Sequence, residues 1–278
     1  MNSILTITQL TWMEARRRRI AMAMVICGAA FIAVFALAMH FMSGGALRSG
    51  DMPLLQRQAV LQMMTLVGLY VANFLSVAMA VLLSLDTLSG EMASGVMQTL
   101  ASKPIRRTDI VLGKWLAYWL MSCVYLILMV AGVVLSVYFI TGFMQQRLLQ
   151  ALPLLILEVT VLLTLSIAGG TRFTTITNGI VAFAFYGVAF IGGWVEQIGT
   201  MVGNSAARYI GTAISLLSPI DIYWRYAAYR LQPPFMRAAQ LTPFSSISAP
   251  SPVMVVWGVG FVALLLLLAT RNFKRREL

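Results

Sequence analysis

Long apolar runs recur six times along the chain, separated by polar stretches that hold arginine, lysine, proline or glycine. A helix rises about 1.5 Å per residue, so about 20 mainly apolar residues cross the hydrocarbon core of a bilayer. Six segments reach that length: 20–42, 61–85, 110–140, 151–170, 176–194 and 253–270. The third is long enough to contain an interfacial turn. The pattern predicts an all-α integral membrane protein with one transmembrane domain over 1–278. The first run follows Arg16-Arg17-Arg18-Arg19, is too long for a signal core and meets no small-x-small cleavage site, so it is expected to remain as an anchor.

The stretches between the runs carry patterns of their own. Residues 1–19 predict a helix lying in the inner interface, with Ile4, Leu5, Ile7, Leu10 and Trp12 for lipid and a basic end for head groups; a disordered tail is the alternative. In the loop 86–109, Met92, Val96 and Leu100 recur every four residues, which predicts a short amphipathic helix that Lys103-Pro104 ends and that Gly90 and Gly95 weaken. Thr108 and Asp109 suit the N-cap and first turn of the third span. The segment 195–252 is too long and too aromatic for a simple loop, and reads as re-entrant or interfacial structure at the outer face. Ser218-Pro219-Ile220-Asp221 predicts a helix start and Pro233-Pro234 its stop. Asp221 and Arg225, four apart, can pair, while Tyr223, Trp224, Tyr226 and Tyr229 suit the head-group layer.

Composition agrees with burial in lipid: 60% of the 278 residues are hydrophobic and 10% charged, against about 45–50% and about 25% in soluble domains. The net charge of +11 would suit nucleic acid, but its placement argues for membrane topology instead. Thirteen Lys and Arg residues fall on the side that holds both termini (Arg16 to Arg19, Lys103, Arg106, Arg107, Lys114, Arg172, Arg271, Lys274, Arg275, Arg276) and seven on the other. Both termini are therefore expected in the cytoplasm. Cys27 and Cys123 lie in apolar runs and read as small buried hydrophobes.

Catalytic chemistry is sparse. No G-x-x-x-x-G-K-[ST] phosphate loop occurs, there is one histidine, and the Cys, His and carboxylate residues do not cluster, so neither ATP hydrolysis nor metal catalysis is expected of this chain. Glu158 is the acid placed well inside a span. With Asn73 it is a candidate for a translocation path; alternatively it is a hydrogen-bonded packing residue paired to Thr160 or to another span. Met39, His40 and Met42 could hold copper, or they could be ordinary packing residues in a chain with 18 methionines.

The loop after the second span carries the sequence Asp86-Thr87-Leu88-Ser89-Gly90-Glu91-Met92-Ala93-Ser94-Gly95-Val96-Met97-Gln98-Thr99-Leu100, then Lys103-Pro104-Ile105-Arg106-Arg107 and Gly113-Lys114. This resembles the permease subunits of type-two ABC export systems, and the similarity extends over the whole layout. The resemblance implies an inner interfacial helix, six spans, a coupling helix after the second span and outer re-entrant helices before the sixth. It further implies two permease chains, identical or not, paired with two cytoplasmic ATPase chains that bind ATP and magnesium. The coupling residues it marks are Glu91, Met92, Val96, Leu100, Arg106 and Arg107. The implied function is ATP-driven export or extraction across the cytoplasmic membrane. A membrane scaffold or sensor that contacts an ATPase without moving cargo is the alternative.

Overall fold

The computed structural model describes residues 3–44, 53–87, 90, 106–233 and 251–275. Among these every regular element is an α-helix. In chain order they are α1 (Ser3–Arg17), α2 (Arg19–Gly44), α3 (Leu54–Ser84), α4 (Arg107–Thr141), α5 (Leu148–Gly170), α6 (Thr175–Val202), α7 (Ser205–Leu217), α8 (Asp221–Leu231) and α9 (Pro252–Arg275). Six of them, α2, α3, α4, α5, α6 and α9, are long and apolar enough to cross a membrane. The fold is therefore an all-α integral membrane fold.

The helices outrun the apolar stretches that announced them. α3 starts at Leu54 rather than 61, and α6 continues to Val202 rather than 194. Hydropathy marks where lipid begins, whereas a helix stops only where its backbone bonds are satisfied differently. α4 is a single helix of 35 residues without an interfacial turn, closed by Gly142 at φ 71°. That left-handed conformation is open to glycine at little cost.

Two expected caps are not used. α4 begins at Arg107 behind Arg106, with no side-chain cap; Thr108 lies inside the first turn and its hydroxyl donates to Asp109 Oδ1 at 3.4 Å. Ser218 closes α7 instead of opening α8, and its hydroxyl donates to the Phe185 carbonyl at 3.2 Å. α8 starts at Asp221 and ends before Pro233.

Lipid is as apolar as leucine, so the packing of these helices relies on close approach and on polar contacts. α3 and α5 form the centre, with 67% of the most apolar stretch of each buried, against 17% in α2 and 22% in α9. Trp115 and Trp119 of α4 stack at 6.0 Å and donate to Thr164 and Thr160 of α5 at 2.9 and 2.8 Å. Ser84 donates to Ser166 at 2.8 Å, joining α3 to α5. Tyr125 donates to the Met24 carbonyl at 2.9 Å across the α2–α4 contact, where a side chain on Gly28 would meet its ring. Cys123 is buried, but Cys27 lies exposed on α2, contrary to its reading as a buried hydrophobe.

α6 and α7 make a helical hairpin. Gly203, at φ 72°, ends α6, and the Asn204 side chain accepts from the Ala206 and Ala207 amides to start α7. A Cβ at Gly211 would stand 2.7 Å from the Glu196 nitrogen and 2.8 Å from its Cα, so the two backbones nearly touch. α8 then turns inward. Tyr223 and Trp224 are core residues, at 0% and 4% exposure, and not head-group residues as expected. One guanidinium ties the three helices: Arg225 donates to Glu196 Oε2 at 2.9 Å and to Ser215 Oγ at 3.2 Å, and its Nε lies 2.9 Å from Asp221 Oδ2 without hydrogen-bond alignment. Gly193 leaves the space that the Asp221 carboxylate occupies.

Candidate functional site

The loop of interest leaves the bundle from the end of α3 and returns at the start of α4. Glu91, Met92, Val96 and Leu100 lie outside the described residues, so the site is built here from its two rims. On the outgoing rim, Asp86 accepts from Thr175 at the start of α6 at 3.2 Å. The same carboxylate lies 3.7 Å from Arg18, at the junction of α1 and α2, and Arg18 also donates to Glu14 at 2.7 Å. Gly90 returns an amide to the Asp86 carbonyl at 3.2 Å, and a Cβ at Gly90 would collide with the Asp86 carboxylate. Glycine is thus needed where the chain turns under that acid.

On the incoming rim, Lys114 is buried at 4% exposure and its Nζ donates to the Thr87 carbonyl at 3.3 Å. Thr87 lies in the turn that follows α3, and the contact satisfies a buried ammonium and a buried turn carbonyl together. Lys114 therefore bolts the start of α4 to the end of α3.

α1 completes the platform. It is a helix rather than a disordered tail, but Ile7 does not face lipid: Ile7, Thr8, Thr11 and Ala15 are buried. Thr8 donates to the Gly113 carbonyl at 3.1 Å, Ser3 donates to Asp109 at 3.0 Å, and a Cβ at Gly113 would stand 2.8 Å from Ile7 and 3.0 Å from the Ile4 carbonyl. Leu5, Leu10 and Met13 remain exposed, as an interfacial helix requires. Of the predicted coupling residues, Arg107 donates to the Lys274 carbonyl of α9 at 3.4 Å, and Arg106 is exposed at the lip of the loop. Arg172 donates to Asn272 at 3.1 Å, joining α9 to the turn between α5 and α6. Both rims of one loop are thereby joined to α1, α6 and α9.

Asp86 and Lys114 were visible as charges beside spans, yet sequence gave no sign that they serve the loop's geometry. Their partners, Arg18, Thr175 and Thr87, come from three separate segments, and such pairings have no periodicity to detect.

The other candidates separate cleanly. Glu158 and Asn73 do meet: Asn73 Nδ2 donates to Glu158 Oε2 at 3.0 Å, with both residues at 1% exposure between α3 and α5. Thr160 is engaged elsewhere, with Trp119 and the Ile156 carbonyl. Met39 is buried against Leu61 and Val137, whereas His40 and Met42 are exposed and the His40 ring lies edge-on to Phe41 at 6.1 Å. Those three residues do not converge.

No curated protein matches the chain. The family model described as ABC-2 family transporter protein matches residues 8–278, nearly the whole length of the chain. The chain belongs to the ABC-2 transporter family and is a membrane permease of an ABC transport system.

Proposed function

We propose that this permease moves its cargo outward across, or out of, the cytoplasmic membrane, driven by a separate ATPase subunit that docks on the loop 86–109. The observation that carries the reading is the bracing of that loop: Asp86 and Lys114 fasten its rims to each other and to the starts of α2, α4 and α6. A loop that only connected two spans would not need a buried lysine. A push on it reaches several helices at once.

The docking element is the amphipathic stretch Met92, Val96 and Leu100, begun by Glu91 and flanked by Arg106 and Arg107. ATP and magnesium belong to the partner, since this chain has no phosphate loop. Thirteen of its basic residues against seven put both termini and the docking loop in the cytoplasm. Two permease chains complete the path. The burial of Glu158 and Asn73 inside one chain favours a pin between α3 and α5 over a cargo-facing surface.

The test is purification of the tagged chain from its native membrane, with ATP hydrolysis measured in lipid discs. Hydrolysis that follows the chain, and that cargo-bearing membrane extract stimulates, supports a coupled transporter. Retained hydrolysis that no extract stimulates favours the scaffold. No associated hydrolysis would overturn the docking assignment.

A further inference from the structure

At the end of the bundle away from the termini lies a cavity of about 170 Å³, between the first turns of α3, the segment joining α4 to α5, and the end of α8. Its polar lining is Gln58, Gln62, Gln146, Arg147 and Gln232. Such a gathering of amides is at odds with helices that are otherwise apolar, and Gln62 and Gln232 are buried at 5% and 1% exposure. The walls are fixed. Gln62 and Gln145 both donate to the Leu231 carbonyl, at 2.8 and 3.1 Å, which holds α3, the α4–α5 segment and α8 together.

Arg147 sets the charge of the site. It adopts φ 60°, the one non-glycine residue with positive φ among those described, and it is the N-cap of α5. A left-handed conformation at a large side chain costs about 1–2 kcal/mol and is maintained only where the surroundings impose it. Here it sets an exposed arginine in the lining of the cavity, at the positive end of a 23-residue helix. No carboxylate lines the cavity, and among the described residues Arg147 forms no ion pair.

Depth identifies the surroundings. α3 has 31 residues and so measures about 46 Å, some 16 Å more than a hydrocarbon core of about 30 Å. The apolar run of this helix begins at 61, so its first turns, with Gln58, extend beyond that run and Gln62 sits at its edge. Phe143 and Met144 extend the same lining with apolar surface.

We infer that this cavity binds a monoanionic phosphodiester bearing free hydroxyls, the chemistry of a glycerol-type phospholipid head group or of a soluble glycerophosphodiester. Arg147 and the helix end take the phosphate, and the glutamine amides, each both donor and acceptor, take the hydroxyls. Phe143 and Met144 take the first carbons of the chains. The site is independent of the docking loop and of the ATPase.

Native mass spectrometry of the purified permease, incubated with phosphatidylglycerol or phosphatidylcholine, tests this directly. Wild type is expected to retain phosphatidylglycerol, and Arg147→Gln to retain about tenfold less, the loss typical of one charge-assisted contact. Arg57→Gln removes an equal charge from an exposed position beside Gln58 that does not line the cavity, and should retain lipid as wild type does. Displacement by glycerophosphoglycerol assigns recognition to the head group alone; resistance to it assigns part of the affinity to the chains. Equal retention of the two lipids, or equal loss in the two arginine variants, would overturn the site.

Discussion

Asn73 and Glu158 show how one hydrogen bond can decide what a buried acid is for. Glu158 accepts from the Asn73 amide at 3.0 Å and is otherwise enclosed by the bundle. If that bond is a pin, Glu158→Gln preserves an acceptor of the same shape, and thermal unfolding in lipid discs should shift by less than about 1 kcal/mol. Glu158→Leu strands the amide and should cost about 1–3 kcal/mol. A transport defect in Glu158→Gln at unchanged stability would restore the path assignment. Arg225 gives a sharper case. Arg225→Met leaves Glu196 and Asp221 facing each other without their cation, and breaking a buried pair from one side costs about 3–5 kcal/mol. Unfolding temperature should fall markedly, and an unchanged value would mean that lipid head groups or water reach the cluster.

Among the elements, the packed faces of the α6–α7 hairpin and of the α1 platform depend on glycine for proximity, whereas Gly203 serves the conformation of the hairpin's turn. Gly211 faces the Glu196 backbone, which has no flexible end to move aside. Gly211→Val should therefore open the hairpin, seen as faster hydrogen exchange over 205–217 with little change in α3 and α5. Gly113→Leu should lift α1 from α4, because Ile7 and the Ile4 carbonyl stand within 3.0 Å of the added Cβ. ATP hydrolysis should then persist while transport falls. Transport that keeps pace with hydrolysis in this variant would remove α1 from the coupling path.

The same elements mark the limit of what the sequence could reveal. Spans were legible because twenty apolar residues have one outcome in a membrane, and the Asp221–Arg225 pairing because a helix brings positions four apart together. The inward burial of Tyr223 and Trp224 was not legible, since an aromatic residue suits a head-group layer and a core equally well. Ser218 and Thr108 carry the chemistry of caps, but a tertiary contact gives the Ser218 hydroxyl to the Phe185 carbonyl, and Thr108 donates to its neighbour Asp109 instead. The Asp86 and Lys114 contacts join residues distant in sequence, so only folding discloses them.

The whole molecule is a sparse bundle: α3 and α5 are enclosed, while α2, α6 and α9 present most of their apolar surface outward. Part of that surface meets lipid. Under the proposed function, another part meets a second permease, and mass measurement in lipid discs should find two copies in the active assembly. Full activity with one copy would contradict pairing. The central claim is that the loop 86–109 receives the stroke of a separate ATPase, and Val96→Asp tests it most directly, by placing a charge on the apolar face of the docking element. Co-purified ATP hydrolysis should be lost in this variant, while the permease inserts, pairs and unfolds as wild type does. Undiminished hydrolysis and transport in Val96→Asp would contradict the account.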